Sequence, residues 1–85
     1  MTAAQKIRVL IVDDHVMVRQ GLRAVLQSYP NIDVVGEAGN GEEAISSVPK
    51  LQPTIVVMDI GMPNLDGIGA TRLIKTQYPE IAVLG

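Results

Sequence analysis

The chain has 85 residues, which is enough for one small domain with a marginal hydrophobic core. It contains no cysteine, which excludes disulfides and cysteine-based metal sites, and its net charge of −2 argues against a nucleic-acid-binding surface on this segment. No apolar run approaches the ~20 residues of a membrane span, and no signal-like segment opens the chain. We therefore expect a cytoplasmic location without membrane contact.

Four short apolar runs predict β-strands. They cover 7–12, 32–36, 54–58 and 81–84 and are rich in β-branched residues. Because polar residues do not alternate with apolar ones in these runs, each strand is expected to be covered on both faces, as in a parallel sheet.

Helical patterns lie between these runs. Over 41–48, Asn40 can cap a helix, and Pro49 predicts that this helix is short or kinked. Over 15–29, apolar residues recur every three or four positions, namely at Val18, Leu22, Val25, Leu26 and Tyr29.

The third helical pattern, 67–78, completes an alternation of strands and helices. Asp66 is predicted to cap this helix, and its buried face is predicted to consist largely of Ile68, Leu73 and Ile74. Connections this short require right-handed crossovers between parallel strands. The predicted fold is therefore α/β, a doubly wound parallel sheet with the strand order 2-1-3-4.

Carboxylates follow two of the predicted strands. Asp13 and Asp14 follow the first strand, and Asp59 follows the third. In this strand order both strand ends open on the crevice at the carboxyl edge of the sheet, where doubly wound sheets bind ligands. Three adjacent carboxylates repel one another, so either they bind protons or a cation lies among them. Capping of the following helix could explain a single aspartate here, but it does not account for two adjacent aspartates together with a third after another strand.

The ligand types at this crevice indicate which cation it would hold. A set of carboxylate oxygens and water, without histidine or cysteine, suits Mg²⁺ or Mn²⁺ better than Zn²⁺. Mg²⁺ in proteins usually keeps several waters, which leaves room for a phosphoryl group. A carboxylate beside Mg²⁺ can attack a phosphorylated donor and form an acyl phosphate.

Three motifs, "VLIVDDH…VRQGL", "VVGEAGNGEEA" and "VVMDIGMPNLDG", resemble the receiver domain of two-component response regulators. The resemblance covers the whole chain and points to the NarL/FixJ branch, which carries a LuxR-type helix-turn-helix. It implies a flavodoxin-like fold and a bacterial, non-enzymatic transcription regulator. It also implies that Asp59 is the phosphoacceptor, phosphorylated by a sensor histidine kinase in a Mg²⁺-dependent reaction. The implied metal site comprises Asp14 directly, Asp13 through water, Asp59, and the backbone carbonyl of Gly61.

Other marked residues have structural interpretations. Pro63 is expected to fix the turn after Asp59. Asp66 and Gly67 are expected to begin a helix. His15 is interpreted as a first-turn helix residue rather than a proton carrier.

The resemblance also predicts what lies beyond the chain. The family's receiver places a Thr or Ser after the fourth strand and a Lys after a fifth, and both contact the phosphoryl group. Because the chain ends at Gly85, we expect 1–85 to be only the N-terminal part of a receiver, unable to switch and lacking the DNA-binding domain. Apolar side chains of the first and third strands and the edge of the fourth are expected to face water. They predict a homo-oligomer.

Two other functions stay open. An aspartate-nucleophile phosphotransferase or phosphatase could use the same sheet, but such enzymes typically carry a second aspartate two residues after the nucleophile, where this chain has Gly61. The other possibility is an inactive, self-associating interaction module.

Overall fold

A computed structural model of the protein describes residues 6–59 and 66–85. Within these ranges strands and helices alternate: β1 (Ile7–Val12), α1 (Val16–Gln27), β2 (Ile32–Ala38), α2 (Gly41–Leu51), β3 (Ile55–Met58), α3 (Asp66–Gln77) and β4 (Ala82–Leu84). The strands are parallel and lie in the order β2-β1-β3-β4. The predicted flavodoxin-like sheet of order 2-1-3-4 is therefore confirmed. No helix in the described ranges is long and apolar enough to cross a membrane.

The sheet has an apolar layer on each face. Leu10 and Val12 of β1 belong to a cluster with residues of α2 and α3, whereas Val9 and Ile11 belong to a second cluster beside leucines of α1. All four side chains are buried. The uninterrupted apolar run of β1 thus reflects burial on both faces, as expected for a central parallel strand.

The prediction that apolar side chains of the first strand face water is wrong. Val9 and Ile11 are buried because they pack against α1. In β3, Ile55 and Val57 are partly buried, and Leu84 of β4, which pairs in register with Val57, is exposed. The more open part of this face therefore lies over β3 and β4.

A bulge in β2 changes which side chains face α1. The register with β1 shifts between Val34 and Gly36, so β2 contains one extra residue. Val34 and Ala38 would share a face on a regular strand, yet they belong to different core clusters. The shift directs Glu37 toward α1, where it binds arginine side chains. The strand also extends two residues beyond its predicted end at residue 36.

Pro49 predicts that α2 is short or kinked, and the first alternative is wrong, since the helix continues to Leu51. The proline removes one backbone donor near the last turn. Ala44 and Val48, on the same helix, are fully buried in the core. Most helical stability comes from packing of the apolar face, and this burial offsets the missing hydrogen bond.

Both ends of α2 are capped. The side chain of Asn40 accepts a hydrogen bond from the backbone N–H of Glu43 at 2.8 Å, as predicted. At the other end Gln52 adopts the left-handed conformation with φ 50°. The guanidinium of Arg8 donates to the carbonyls of Leu51 at 2.6 Å and Gln52 at 3.2 Å, so β1 helps to terminate the helix.

The predicted buried face of α3 is only partly correct. Ile74 is buried, but Ile68 and Leu73 are exposed at 45% and 46%. Gly67 and Ala70 are buried instead. Positions 67, 70 and 74 follow the helical spacing of one face, and two of the three are small, so the sequence pattern of large apolar residues did not reveal this face. The helix begins at Asp66 itself, one residue earlier than predicted.

Helix α1 also buries only part of its predicted apolar stripe. Leu22 and Leu26 pack against the cluster beneath the helix, and no residue of α1 is fully buried. The other predicted members of the stripe are exposed, namely Val18, Val25 and Tyr29.

Candidate functional site

The carboxyl ends of β1 and β3 place aspartates at one edge of the sheet. The backbone N–H of Asp13 donates to the carbonyl of Ala38 at 3.1 Å, and that of Asp59 donates to the carbonyl of Val12 at 2.9 Å. Both bonds continue the parallel ladders one residue past the strands. The two aspartates are therefore held by the sheet itself, on either side of the switch point between β1 and β3.

Four side chains converge there, and we call Asp13, Asp14, His15 and Asp59 the acidic cluster. One ligand atom from each of them lies within 4.8 Å of the others. Asp13 is 7% exposed, Asp59 is half-buried, and Asp14 and His15 are exposed. The predicted meeting of the three aspartates is thus found, with a histidine added.

His15 precedes helix α1, and its side chain contacts the aspartates of the acidic cluster. It occupies the N-cap position of α1, before the first turn in which it was predicted, and its side chain makes no capping bond. Its backbone N–H donates to Oδ1 of Asp13 at 2.8 Å. Its Nδ1 lies 3.1 Å from Oδ1 of Asp13 and 2.9 Å from Oδ1 of Asp14.

The electrostatics of the cluster act on this imidazole. The hydrogen bond with Asp13 raises the pKa of His15 above its ordinary value of 6.5, and the negative charge of Asp14 raises it further. The protonated, positively charged form of His15 is therefore favoured.

A charged network supports the backbone at Asp13. Nη1 of Arg19 donates to the carbonyl oxygen of Asp13 at 2.6 Å, and Nε of Arg19 donates to Glu37 at 3.1 Å. Nε of Arg23 donates to the other carboxylate oxygen of Glu37 at 2.7 Å. This network was not identified from the sequence, because charged side chains between the apolar positions of a helix are ordinarily solvent-exposed.

The donor set fits a divalent cation. Three carboxylates at one strand edge offer the hard oxygen ligands that Mg²⁺ and Mn²⁺ prefer. The exposed Asp14 leaves the cluster open to solvent, which suits an ion that keeps several waters. The two remaining predictions at this site, the carbonyl of Gly61 as a ligand and Pro63 in the turn, lie outside the described residues.

A separate cleft of about 450 Å³ opens at the opposite edge of the sheet, before β3 and β4. Its lining mixes apolar side chains, such as Val48 and Ile81, with polar ones, such as Gln52 and Glu80. Ligands of doubly wound sheets bind at the carboxyl ends of the strands, so position favours the acidic cluster over this cleft as the functional site.

The fold and the cluster together define a doubly wound α/β domain with an acidic pocket at its switch point. The family model described as the response regulator receiver domain matches residues 9–85. The chain therefore belongs to the response regulator receiver domain family.

Several relatives agree with this assignment. The response regulator protein VraR of Staphylococcus aureus is 46% identical over 78 residues, covering 92% of this chain and 37% of VraR. A LuxR-family two-component response regulator from Aurantimonas sp. SI85-9A1 superposes with a TM-score of 0.86 at 37% identity, covering 93% of this chain and 56% of that chain. The similarity supports the LuxR-type branch predicted from the motifs.

A third relative was solved bound to DNA. RcsB of Salmonella enterica serovar Typhimurium, bound to promoter rprA in the presence of phosphomimetic BeF3⁻, superposes with a TM-score of 0.84 at 32% identity. The match covers 93% of this chain and 41% of that chain. The chain thus spans well under two thirds of these regulators, including 37% of VraR.

Proposed function

We propose that this chain is the phosphoacceptor part of a two-component response regulator and that Asp59 is the residue that becomes phosphorylated. The convergence of Asp13, Asp14 and Asp59 at the switch point carries the proposal, since it places one carboxylate on β3 beside two on β1. Family membership supports the same roles, because receiver domains bind Mg²⁺ at an acidic pocket.

Each carboxylate has a distinct role in this proposal. An oxygen of Asp59 attacks the phosphorus of a phosphohistidine or a small phosphodonor, the new O–P bond forms, and the donor's bond to phosphorus breaks. Asp14 and Asp13 would hold Mg²⁺, which when bound neutralises charge on the transferred group. The sheet hydrogen bond at the amide of Asp59 fixes the starting position of the nucleophile.

The partners follow from the family. Receiver domains are generally non-enzymatic regulators that interact with histidine kinases. We propose that a sensor histidine kinase phosphorylates this chain in the cytoplasm, and that the protein containing it regulates transcription by binding DNA through another domain. The promoter-bound RcsB relative supports this proposal.

Phosphorylation can be tested on the chain directly. Incubation with Mg²⁺ and acetyl phosphate is expected to add the mass of one phosphoryl group, and Asp59→Asn is expected to abolish the addition. Asp33→Asn is the matched control, because it makes the same chemical change on β2 outside the acidic cluster. An unchanged mass would contradict the proposal. Sustained release of phosphate at enzymatic rates would favour an aspartate-based phosphatase instead.

We also propose that the chain self-associates with a second copy through its more open apolar face. Leu84 on the edge strand β4 is exposed at 53%, and it pairs in register with the partly buried Val57 of that face. Strand edges and apolar side chains of this kind favour pairing between chains. Sedimentation showing only a monomer at low micromolar concentration would contradict this proposal, and Leu84→Lys is expected to shift the equilibrium toward monomer.

A further inference from the structure

His15 is placed to act as a metal ligand, although the sequence pattern indicated an all-oxygen site. It is the only histidine of the chain, and its side chain is 67% exposed, so ions can reach it from solvent. Its Nδ1 faces the same two carboxylates that are proposed to hold Mg²⁺.

The distances between these atoms match those between two ligands of one ion. Two atoms bound at about 2.0–2.1 Å lie about 2.9 Å apart at right angles and about 3.3 Å apart at the tetrahedral angle. Nδ1 lies 2.9 Å from Asp14 and 3.1 Å from Asp13, within this interval. The largest separation in the cluster is 4.8 Å, slightly more than the ~4.2 Å span across one ion. The most distant ligand would therefore bind through water or after a small side-chain rotation.

We propose that His15 coordinates borderline divalent ions such as Zn²⁺, so that Zn²⁺ competes with Mg²⁺ for the acidic cluster and His15 sets the ratio of the two affinities. Imidazole nitrogen is a favourable ligand for Zn²⁺ and a poor one for Mg²⁺, which prefers oxygen. Asp13 and Asp14 would coordinate both ions, whereas His15 would coordinate only Zn²⁺. This inference rests on the metal site of the proposed function, and it assigns to His15 the selectivity of that site between Zn²⁺ and Mg²⁺.

The experiment compares two ions on the whole chain and on His15→Gln. Calorimetric titration gives the affinity for Zn²⁺ and for Mg²⁺ separately. The variant is expected to lose about tenfold or more in Zn²⁺ affinity, because one nitrogen ligand is gone, and to keep its Mg²⁺ affinity within about twofold. Because the substituted side chain is exposed, the fold is expected to be retained, and circular dichroism checks this.

A matched control separates coordination from the mere presence of an imidazole. Gln27 is exposed at the far end of α1, about 18 Å along the helix axis from His15. The double variant His15→Gln, Gln27→His contains one histidine, as the parent does, but has no imidazole at the acidic cluster. It is expected to bind Zn²⁺ as weakly as His15→Gln alone.

A spectroscopic readout identifies the ligand atom. In a ¹⁵N-labelled sample the single imidazole gives one Nδ1 resonance, which is expected to shift on addition of Zn²⁺ and to stay nearly unchanged with Mg²⁺.

The outcomes distinguish this inference from the proposed function. If both ions bind but the Nδ1 resonance does not move, or if His15→Gln keeps the parent ratio of affinities, the inference is overturned. Phosphorylation of Asp59 then still stands on its own assay. If neither ion binds, the metal site itself fails and the inference fails with it. A selective loss of Zn²⁺ affinity together with a shifted Nδ1 resonance supports it.

Discussion

Glu37 joins β2 to α1, and replacing it with glutamine removes the charge that two arginines share. The carboxylate accepts hydrogen bonds from Arg19 at 3.1 Å and from Arg23 at 2.7 Å. Arg19 in turn donates to the backbone carbonyl of Asp13 at 2.6 Å. Glu37→Gln keeps the size of the side chain but leaves both guanidinium groups without a counter-charge, so it tests whether this network stabilises the fold.

The size of the effect follows from the exposure of each pair. A hydrogen bond to a charged group contributes about 1.5–3 kcal/mol when it is shielded, whereas exposed ion pairs contribute about 0–1 kcal/mol. Arg19 is 17% exposed and Glu37 25%, so we assign this pair about 1.5 kcal/mol. Arg23 is 37% exposed, so its pair is discounted to about 0.5 kcal/mol. The variant is therefore expected to lose about 2 kcal/mol of unfolding free energy.

Urea unfolding followed by circular dichroism measures this loss, and the midpoint is expected to fall by about 1 M. Asp33→Asn is the control, because it neutralises another carboxylate of β2 that makes no ion pair among the described residues, and it should change stability by less than about 0.5 kcal/mol. Arg19→Gln should cost more than Arg23→Gln, since only Arg19 also holds Asp13. Equal stability of Glu37→Gln and Asp33→Asn would refute the reasoning.

Three further changes test other parts of the structure. Gln52→Gly is expected to stabilise the protein by about 1 kcal/mol in urea unfolding, because Gln52 has φ 50°, a left-handed conformation that glycine adopts without strain. Leu10→Ala is expected to cost about 3 kcal/mol, because Leu10 is fully buried and leaves a cavity. In metal-free protein, NMR titration should give His15 a pKa above 6.5, owing to the hydrogen bond with Asp13 and the charge of Asp14, and Asp14→Asn should lower that pKa. The stabilisation from protonated His15 should be complete below pH 6.5 and disappear as the pH rises through the higher folded-state pKa.

Each of these predictions has a control and a contradicting outcome. Gln20→Gly, within exposed α1, should destabilise the protein by about 1 kcal/mol, and a similar loss in Gln52→Gly would show that the left-handed conformation carries no strain. Val25→Ala removes an exposed apolar side chain and should cost less than about 0.5 kcal/mol, so an equal cost for Leu10→Ala would contradict its burial. A His15 pKa that does not respond to Asp14→Asn would exclude the electrostatic cause.

The parallel sheet could be predicted from the sequence because its signals are local and strong. The run at β1 is apolar without alternation, and Leu10 and Ile11 are indeed both fully buried, on opposite faces. Strand order then follows from short right-handed connections. Once the order is known, the meeting of Asp14 and Asp59 follows from chain direction alone. The candidate site was predictable to the same extent, since its aspartates directly follow strands.

Features that depend on pairing between distant segments could not be predicted. Hydrophobicity alone predicts that Ile68 and Leu73 of α3 are buried, yet the structure exposes both and buries Gly67 and Ala70 beside Ile74. Pro49 alone predicts a short or kinked helix, but the helix continues to Leu51, because the local cost of the proline is offset by burial elsewhere on the helix. In both cases tertiary packing outweighs a local preference, namely the hydrophobic pattern in α3 and the helix-breaking tendency of proline in α2.

The network at Glu37 shows how such a long-range feature reaches the site. Side chains of a regular strand point alternately to the two faces of the sheet. Without the extra residue in β2, Glu37 would therefore lie on the face opposite Val34, away from α1. The bulge reverses this alternation, so Glu37 lies toward α1 and accepts a hydrogen bond from Arg19. Arg19 also donates a hydrogen bond to the carbonyl oxygen of Asp13. The backbone that positions the first aspartate of the acidic cluster therefore depends on the register of β2, which contributes no ligand of its own to that cluster.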